Sequence, residues 1–203
     1  SNKIHTLKNK DRVNNSMLSD IVNEIQRYGD GLALLTQGGV VFFDPDTETF
    51  STLSKDDKLQ WLWRLRTPYE TFYIDSRKRA WLALTSGGVV CVDLTTSQVE
   101  RYLPDADNPS KIGKFKIDHI FEDKTGKLYF STVGSGVFRF VEQSKSFKIY
   151  NTANKTLPSD YCYYICQSSN ASEYLYFIHG KGFSIFNSDK EVVERTYRLF
   201  NQR

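Results

Sequence analysis

The residues able to do chemistry are few and widely spaced. His5, His119 and His179 are the only histidines, and no Gly-x-Ser-x-Gly elbow, His/Cys ligand pair or phosphate-binding glycine loop accompanies them. His5 lies near the start of the sequence and His119 falls inside an expected strand, a structural position. His179 precedes Gly180 at a chain reversal, where it could face a ligand, although a turn histidine is usually just solvated. Cys91, Cys162 and Cys166 are odd in number and have no metal-ligand spacing. Cys162 and Cys166 would stand about 13 Å apart along a strand, too far to bridge. All three read as small buried hydrophobes. The remaining constellation is aromatic. Trp61, Trp63, Arg64 and Tyr69, and less strongly Tyr161 and Tyr163, combine flat apolar faces with hydrogen-bond donors. That combination suits stacking on a sugar ring. Trp61 and Trp63 share a face if their segment is extended. The competing use for both is filling space between sheets, which is the commoner role of aromatics in repeat proteins.

The elements that must position these residues are strands. From Asp118 to Phe140 an apolar strand leads through Asp123-Lys-Thr-Gly126 into a second strand, Leu128 to Thr132. Gly134-Ser-Gly136 then reverses the chain into Val137 to Phe140, and Phe147 to Tyr150 reads as a fourth strand. No helical period interrupts this meander. The unit recurs as Gly38-Gly39-Val-Val-Phe-Phe, Gly87-Gly88-Val-Val-Cys-Val and Gly180-Lys-Gly182-Phe-Ser-Ile-Phe. The second glycines, at 39, 88, 136 and 182, are 49, 48 and 46 residues apart. Four such meanders predict an all-β fold of β-propeller-type repeats, four four-stranded blades forming a segment of a larger propeller. Residues 1–20 read as the end of a preceding blade and the loop after it, with Lys3 to Leu7 as an outermost strand. The blades then run over 21–68, 69–115, 116–160 and 161–203. An aromatic residue opens the second strand at Trp81, Tyr129 and Tyr176, with Leu32 expected there in the first blade.

At 203 residues the chain can bury a proper core, and its 14% aromatic content suits stacked sheets. The charges, 27 basic against 24 acidic, are interspersed, so the basic stripe that nucleic acid binding requires is missing. Arg77-Lys78-Arg79 sits in a hairpin turn and reads as solvated surface. No apolar run reaches the roughly 20 residues that span a membrane, and no signal peptide opens the sequence. Ser1-Asn2 reads as a cloning scar, which makes this a piece of a longer protein.

The order of motifs resembles the repeats of two-component regulator propellers. Leu157-Pro-Ser-Asp160 with Cys162 and Ile165 resembles the opening of that repeat, and Leu18-Ser-Asp20 with Val22 and Ile25 repeats it. Asp123-Lys-Thr-Gly126, Leu128-Tyr129, Ser131-Thr132 and Gly134-Ser-Gly136 follow its middle, and Phe43-Asp-Pro-Asp-Thr-Glu-Thr-Phe50 its end. The likeness covers about residues 3–200. It is weaker in the second unit, where Lys78 replaces the turn glycine, and in the fourth, where the turn is Ser-Ser-Asn-Ala-Ser. It implies the periplasmic sensor region of a hybrid two-component system of gut bacteria. In such proteins propellers precede a small β-domain, one membrane helix, a histidine kinase and a DNA-binding regulator.

The expectation is therefore a non-enzymatic sensor of an oligosaccharide or similar ligand, signalling to a histidine kinase in the parent chain. Its candidate contacts are Trp61, Trp63, Arg64, Tyr69, Tyr161, Tyr163 and His179, with no cofactor and no metal. It would touch the membrane only through the rest of the parent, would make no direct nucleic acid contact, and could form a homodimer through an exposed strand edge. The rival readings are a propeller scaffold for protein–protein interaction without sugar binding and a propeller lyase or hydrolase. The last would need histidines and acids gathered on one rim from several blades.

Overall fold

The structure is a computed structural model that describes residues 21–37, 39–52, 69–105, 112, 114–169 and 173–198. The described residues form sixteen strands in four antiparallel sheets of four, each a meander in chain order, and no helix. The first sheet holds β1 (Val22–Tyr28), β2 (Gly31–Thr36), β3 (Gly39–Asp44) and β4 (Thr49–Thr52). The second holds β5 (Tyr69–Ile74), β6 (Arg79–Leu84), β7 (Val89–Asp93) and β8 (Val99–Tyr102). β9 (Ile117–Glu122), β10 (Leu128–Thr132), β11 (Val137–Val141) and β12 (Ser146–Tyr150) make the third. β13 (Cys162–Gln167), β14 (Tyr174–His179), β15 (Gly182–Asn187) and β16 (Val192–Tyr197) make the fourth. Residues 1–20 lie outside the described residues.

Strand alternation gives every sheet two apolar faces, and the sheets stack face to face through their first strands. Ala33, Leu35 and Val40 on the front of the first sheet pack on Phe72, Ile74, Leu82 and Val90 on the rear of the second. Trp81, Ala83, Val89 and Cys91 then pack on Ile117, Ile120, Phe130 and Phe138 of the third. Tyr129, Val137 and Tyr150 close on Ile165, Leu175, Phe177 and Phe186 of the fourth. Ion pairs clasp the same junctions further out: Arg79 bridges to Glu142 at 2.9 Å, and Arg139 to Glu191 at 2.9 Å.

The hairpins between first and second strands use one device twice. The buried Asp75 carboxylate accepts hydrogen bonds from the Arg77 and Arg79 amides, from Arg79 Nε at 2.8 Å and from Trp81 Nε1 at 2.9 Å. Asp123 likewise accepts from the Thr125 and Lys127 amides. Lys78, where the family-like repeat has glycine, takes a left-handed φ of 61°, matching the 83° of Gly126. The first sheet differs, because its hairpin is a two-residue turn at Gly29-Asp30, with Tyr28 paired to Gly31. Ala33 rather than Leu32 therefore occupies the position of Trp81 and Tyr129, since Ala33 pairs with Phe42 as Trp81 pairs with Cys91.

Between second and third strands the reversal needs glycine. At Gly136, with φ 82°, and Gly182, with φ 126°, a Cβ would run into the carbonyl oxygens of Tyr150 and Tyr197, so the outer strand can close only over a bare backbone.

Candidate functional site

Among the described residues, the glycine reversals of the second, third and fourth sheets lie beside the segments that enter the third and fourth sheets, along one rim, and the contacts there run from sheet to sheet. Gly87 sits so close to the Lys114 backbone that a Cβ would be 2.8 Å from its Cα. Phe115, next in the chain, packs its ring on Gly134. The Val133 amide donates to the Lys116 carbonyl at 3.0 Å, and the Gly134 and Gly136 amides both donate to the Asp160 carbonyl, at 3.0 and 2.8 Å. Tyr161 bridges to Val133, and its carbonyl accepts from the Gly180 amide at 3.0 Å. Backbone bonding thus fixes where each aromatic side chain leaves the rim.

Four aromatic rings on this path are presented to solvent: Phe115 (44% exposed), Tyr161 (52%), Tyr163 (44%) and Tyr164 (51%). A Cβ on Gly180 would lie 3.7 Å from the Tyr163 hydroxyl and 3.7 Å from the Tyr161 Cβ, so both tyrosines flank one bare reversal. Tyr164 stacks on His119 with centroids 4.2 Å apart. His119 Nδ1 accepts a hydrogen bond from the Ile165 amide at 3.3 Å, tying the third sheet to the fourth. Burial pushes the His119 imidazole down to about 4, so the ring is neutral at physiological pH.

Of the residues singled out in the sequence, Tyr161 and Tyr163 come together at the rim. Tyr69 does not join them: it is buried between the first and second sheets, and desolvation raises its hydroxyl to about 12. His179 is also turned inward. Its Nδ1 accepts from the Lys181 amide at 3.1 Å, and its Nε2 faces Ser184 Oγ at 3.0 Å, which in turn contacts Thr196 Oγ1. Trp61, Trp63 and Arg64 lie outside the described residues. Cys91 and Cys162 are buried, Cys166 is half-buried, and all three are free thiols. Among the described residues no group of three His, Cys, Asp or Glu could hold a metal ion. Sequence reasoning missed Phe115 and Tyr164. Tyr164 carried no signal in the sequence, because alternation buries one of the Tyr163–Tyr164 pair and only the β-bulge between Cys162 and Tyr164 leaves both exposed.

No sequence-family model and no curated protein matches this chain. Solved structures do. The extracellular domain of BT3049 from B. thetaiotaomicron, assigned as a hybrid two-component system, aligns over 87% of this chain with 20% identity and a TM-score of 0.65. That of BT4673 from the same organism, also assigned as a hybrid two-component system, aligns over 86% with 15% identity and a TM-score of 0.61. The chain spans 24% and 22% of their lengths, about a quarter. The computationally designed Ika8 protein aligns over 87% of this chain at 10% identity and a TM-score of 0.60, with 48% of its own length covered. At these identities the likeness establishes the fold, an all-β propeller-type stack whose four sheets form a segment.

Proposed function

We propose that this chain is the ligand-recognising part of a sensor outside the cytoplasm, binding an oligosaccharide and reporting to a histidine kinase in its parent chain. The observation that carries this reading is the row of exposed rings, Phe115, Tyr161, Tyr163 and Tyr164, along a rim whose backbone is tied by hydrogen bonds. Folding leaves large aromatic side chains in water only at a cost, and rigid rings beside hydroxyl donors suit the flat apolar faces and hydroxyls of sugars. The fold likeness to extracellular domains of two-component systems supplies the context. Trp61, Trp63 and Arg64, which precede the second sheet in sequence, are proposed as further contacts. Recognition is proposed without catalysis, and signalling requires that the ligand bind one state of the parent more tightly than the other.

Calorimetric titration of the folded chain with a panel of neutral oligosaccharides tests this. Binding that weakens by roughly tenfold or more in both Tyr161→Ala and Tyr163→Ala, with unchanged melting, supports the reading. A ligand that binds both variants as well as the parent protein, or no ligand in the panel, overturns it. A scaffold role without sugar is the second reading, favoured by the apolar outer face of the fourth sheet.

A further inference from the structure

The rim that carries Tyr161 and Tyr163 continues from the fourth sheet into the third, where the same positions hold charges. Every first strand has a β-bulge at one register: between Val22 and Glu24, Tyr69 and Phe72, Ile117 and His119, and Cys162 and Tyr164. Counting back from Ile25, Phe72, Ile120 and Ile165, the extra residue is Asn23, Glu70, Asp118 and Tyr163 in turn. A bulge re-aims the side chain it carries, so these four leave their sheets at one level. Two residues earlier the backbone repeats as well. The Gly180 amide donates to the Tyr161 carbonyl at 3.0 Å, and the Val133 amide donates to the Lys116 carbonyl at 3.0 Å. Gly180 and Val133 are equivalent, because each follows the partner of a corresponding residue, His179 opposite Cys162 and Thr132 opposite Ile117. Lys116 and Asp118 therefore stand in the third sheet where Tyr161 and Tyr163 stand in the fourth. Val133 also bridges to Tyr161, which ties the two segments side by side.

The charged side chains meet across the junction of the second and third sheets. Lys116 Nζ lies 3.2 Å from Asp118 Oδ1 and 3.3 Å from Oε2 of Glu70, the bulge residue of the second sheet. The Lys116 side chain is 53% exposed, and those of Glu70 and Asp118 are 26% and 20% exposed. Phe115, the residue before Lys116, sets its exposed ring on Gly134. Asp118 precedes His119, on which Tyr164 stacks. The group thus adjoins the exposed rings on both sides.

Its chemistry is that of a hydroxyl acceptor. Ionised carboxylates only accept hydrogen bonds, and each offers two oxygens. Lys116 holds the two carboxylates in place without cancelling them, since one ammonium faces two negative charges. A sugar hydroxyl can donate to such an oxygen, whereas a sugar carboxylate brings a like charge against it. We infer that Glu70, Lys116 and Asp118 extend the rim site and select neutral over acidic oligosaccharides. The inference rests on the sugar-binding reading and adds what the rings alone do not define. An aromatic ring stacks on the same sugar face whether C6 is an alcohol or a carboxylate, so the charged group makes the distinction.

The test is calorimetric titration with the neutral oligosaccharide that binds and with the same oligosaccharide oxidised to the carboxylate at C6. The expected result is that the parent protein prefers the neutral form by about tenfold or more. In a variant carrying Glu70→Gln and Asp118→Asn that preference falls towards one, because the oxidised form gains affinity. Lys116→Met moves it the other way, since it leaves both carboxylates uncompensated. Tyr161→Ala weakens both forms alike and leaves the ratio unchanged, which separates stacking from selection. Equal binding of the two forms by the parent protein overturns the inference alone. So does a ratio that neither charge variant shifts while Tyr161→Ala still weakens binding. Absence of binding by every neutral sugar overturns the sugar-binding reading and this inference with it.

Discussion

His119 is a histidine in an otherwise aromatic neighbourhood, and its surroundings decide what it does. Its ring is stacked on Tyr164 and its Nδ1 is occupied by the Ile165 amide, so it joins two sheets and holds one exposed tyrosine in place. Because burial lowers its folded-state pKa to about 4 from 6.5, the unfolded chain takes up a proton in a range where the folded chain does not. Stability is then fully present above about pH 6.5 and declines as pH falls towards about 4. His179, lowered by burial and then by Lys181, adds a loss of the same sign. Urea midpoints measured from pH 7.5 to 4.5 should therefore fall more steeply for the parent protein than for His119→Gln. Parallel curves would mean that His119 titrates normally in the fold.

At the scale of strands and turns, the sequence carries most of the answer. Glycine pairs followed by alternating apolar residues locate all four reversals, because no other residue lets the outer strand's carbonyl approach at Gly136 or Gly182. The weak second unit is explained by Lys78 taking the left-handed turn that Gly126 takes in the third. A side chain there carries a steric cost of about 1–2 kcal/mol, partly offset by the greater chain entropy that glycine loses on folding. Lys78→Gly should raise the unfolding free energy by about 0.5–1 kcal/mol in denaturant titrations. A loss of stability would show instead that contacts of the Lys78 side chain outweigh the turn strain. The candidate site was less legible than the fold. Tyr161 and Tyr163 could be placed at a rim from their position where a connection enters the first strand of a blade, but periodicity alone buries Tyr164. A bulge decides otherwise, and bulges leave no pattern in one sequence. Tyr69 failed for the converse reason, since its position at a strand start suits rim and core equally and packing against the first sheet settles it. His179 reads as a turn residue until the Gly182 pairing places it on the inward face.

For the molecule as a whole, four stacked sheets that repeat the same front and rear positions explain the aromatic composition, and among the described residues each junction has its own cluster of buried side chains. Each junction is its own core, so stability accumulates from sheet to sheet. The exposed rings of the rim are held by this stack, Tyr164 through its stacking on His119 and Phe115 against Gly134, with about half of each ring's residue left in solvent. The sensor reading places this 23.5 kDa stretch on the outward side of a signalling protein with a kinase across the membrane. The most direct measurement is therefore the size and location of the native polypeptide, blotted from fractionated cells with an antibody raised against these sheets. A membrane-bound band several times larger than the chain is the predicted result. A soluble band close to the chain's own size would contradict the sensor assignment.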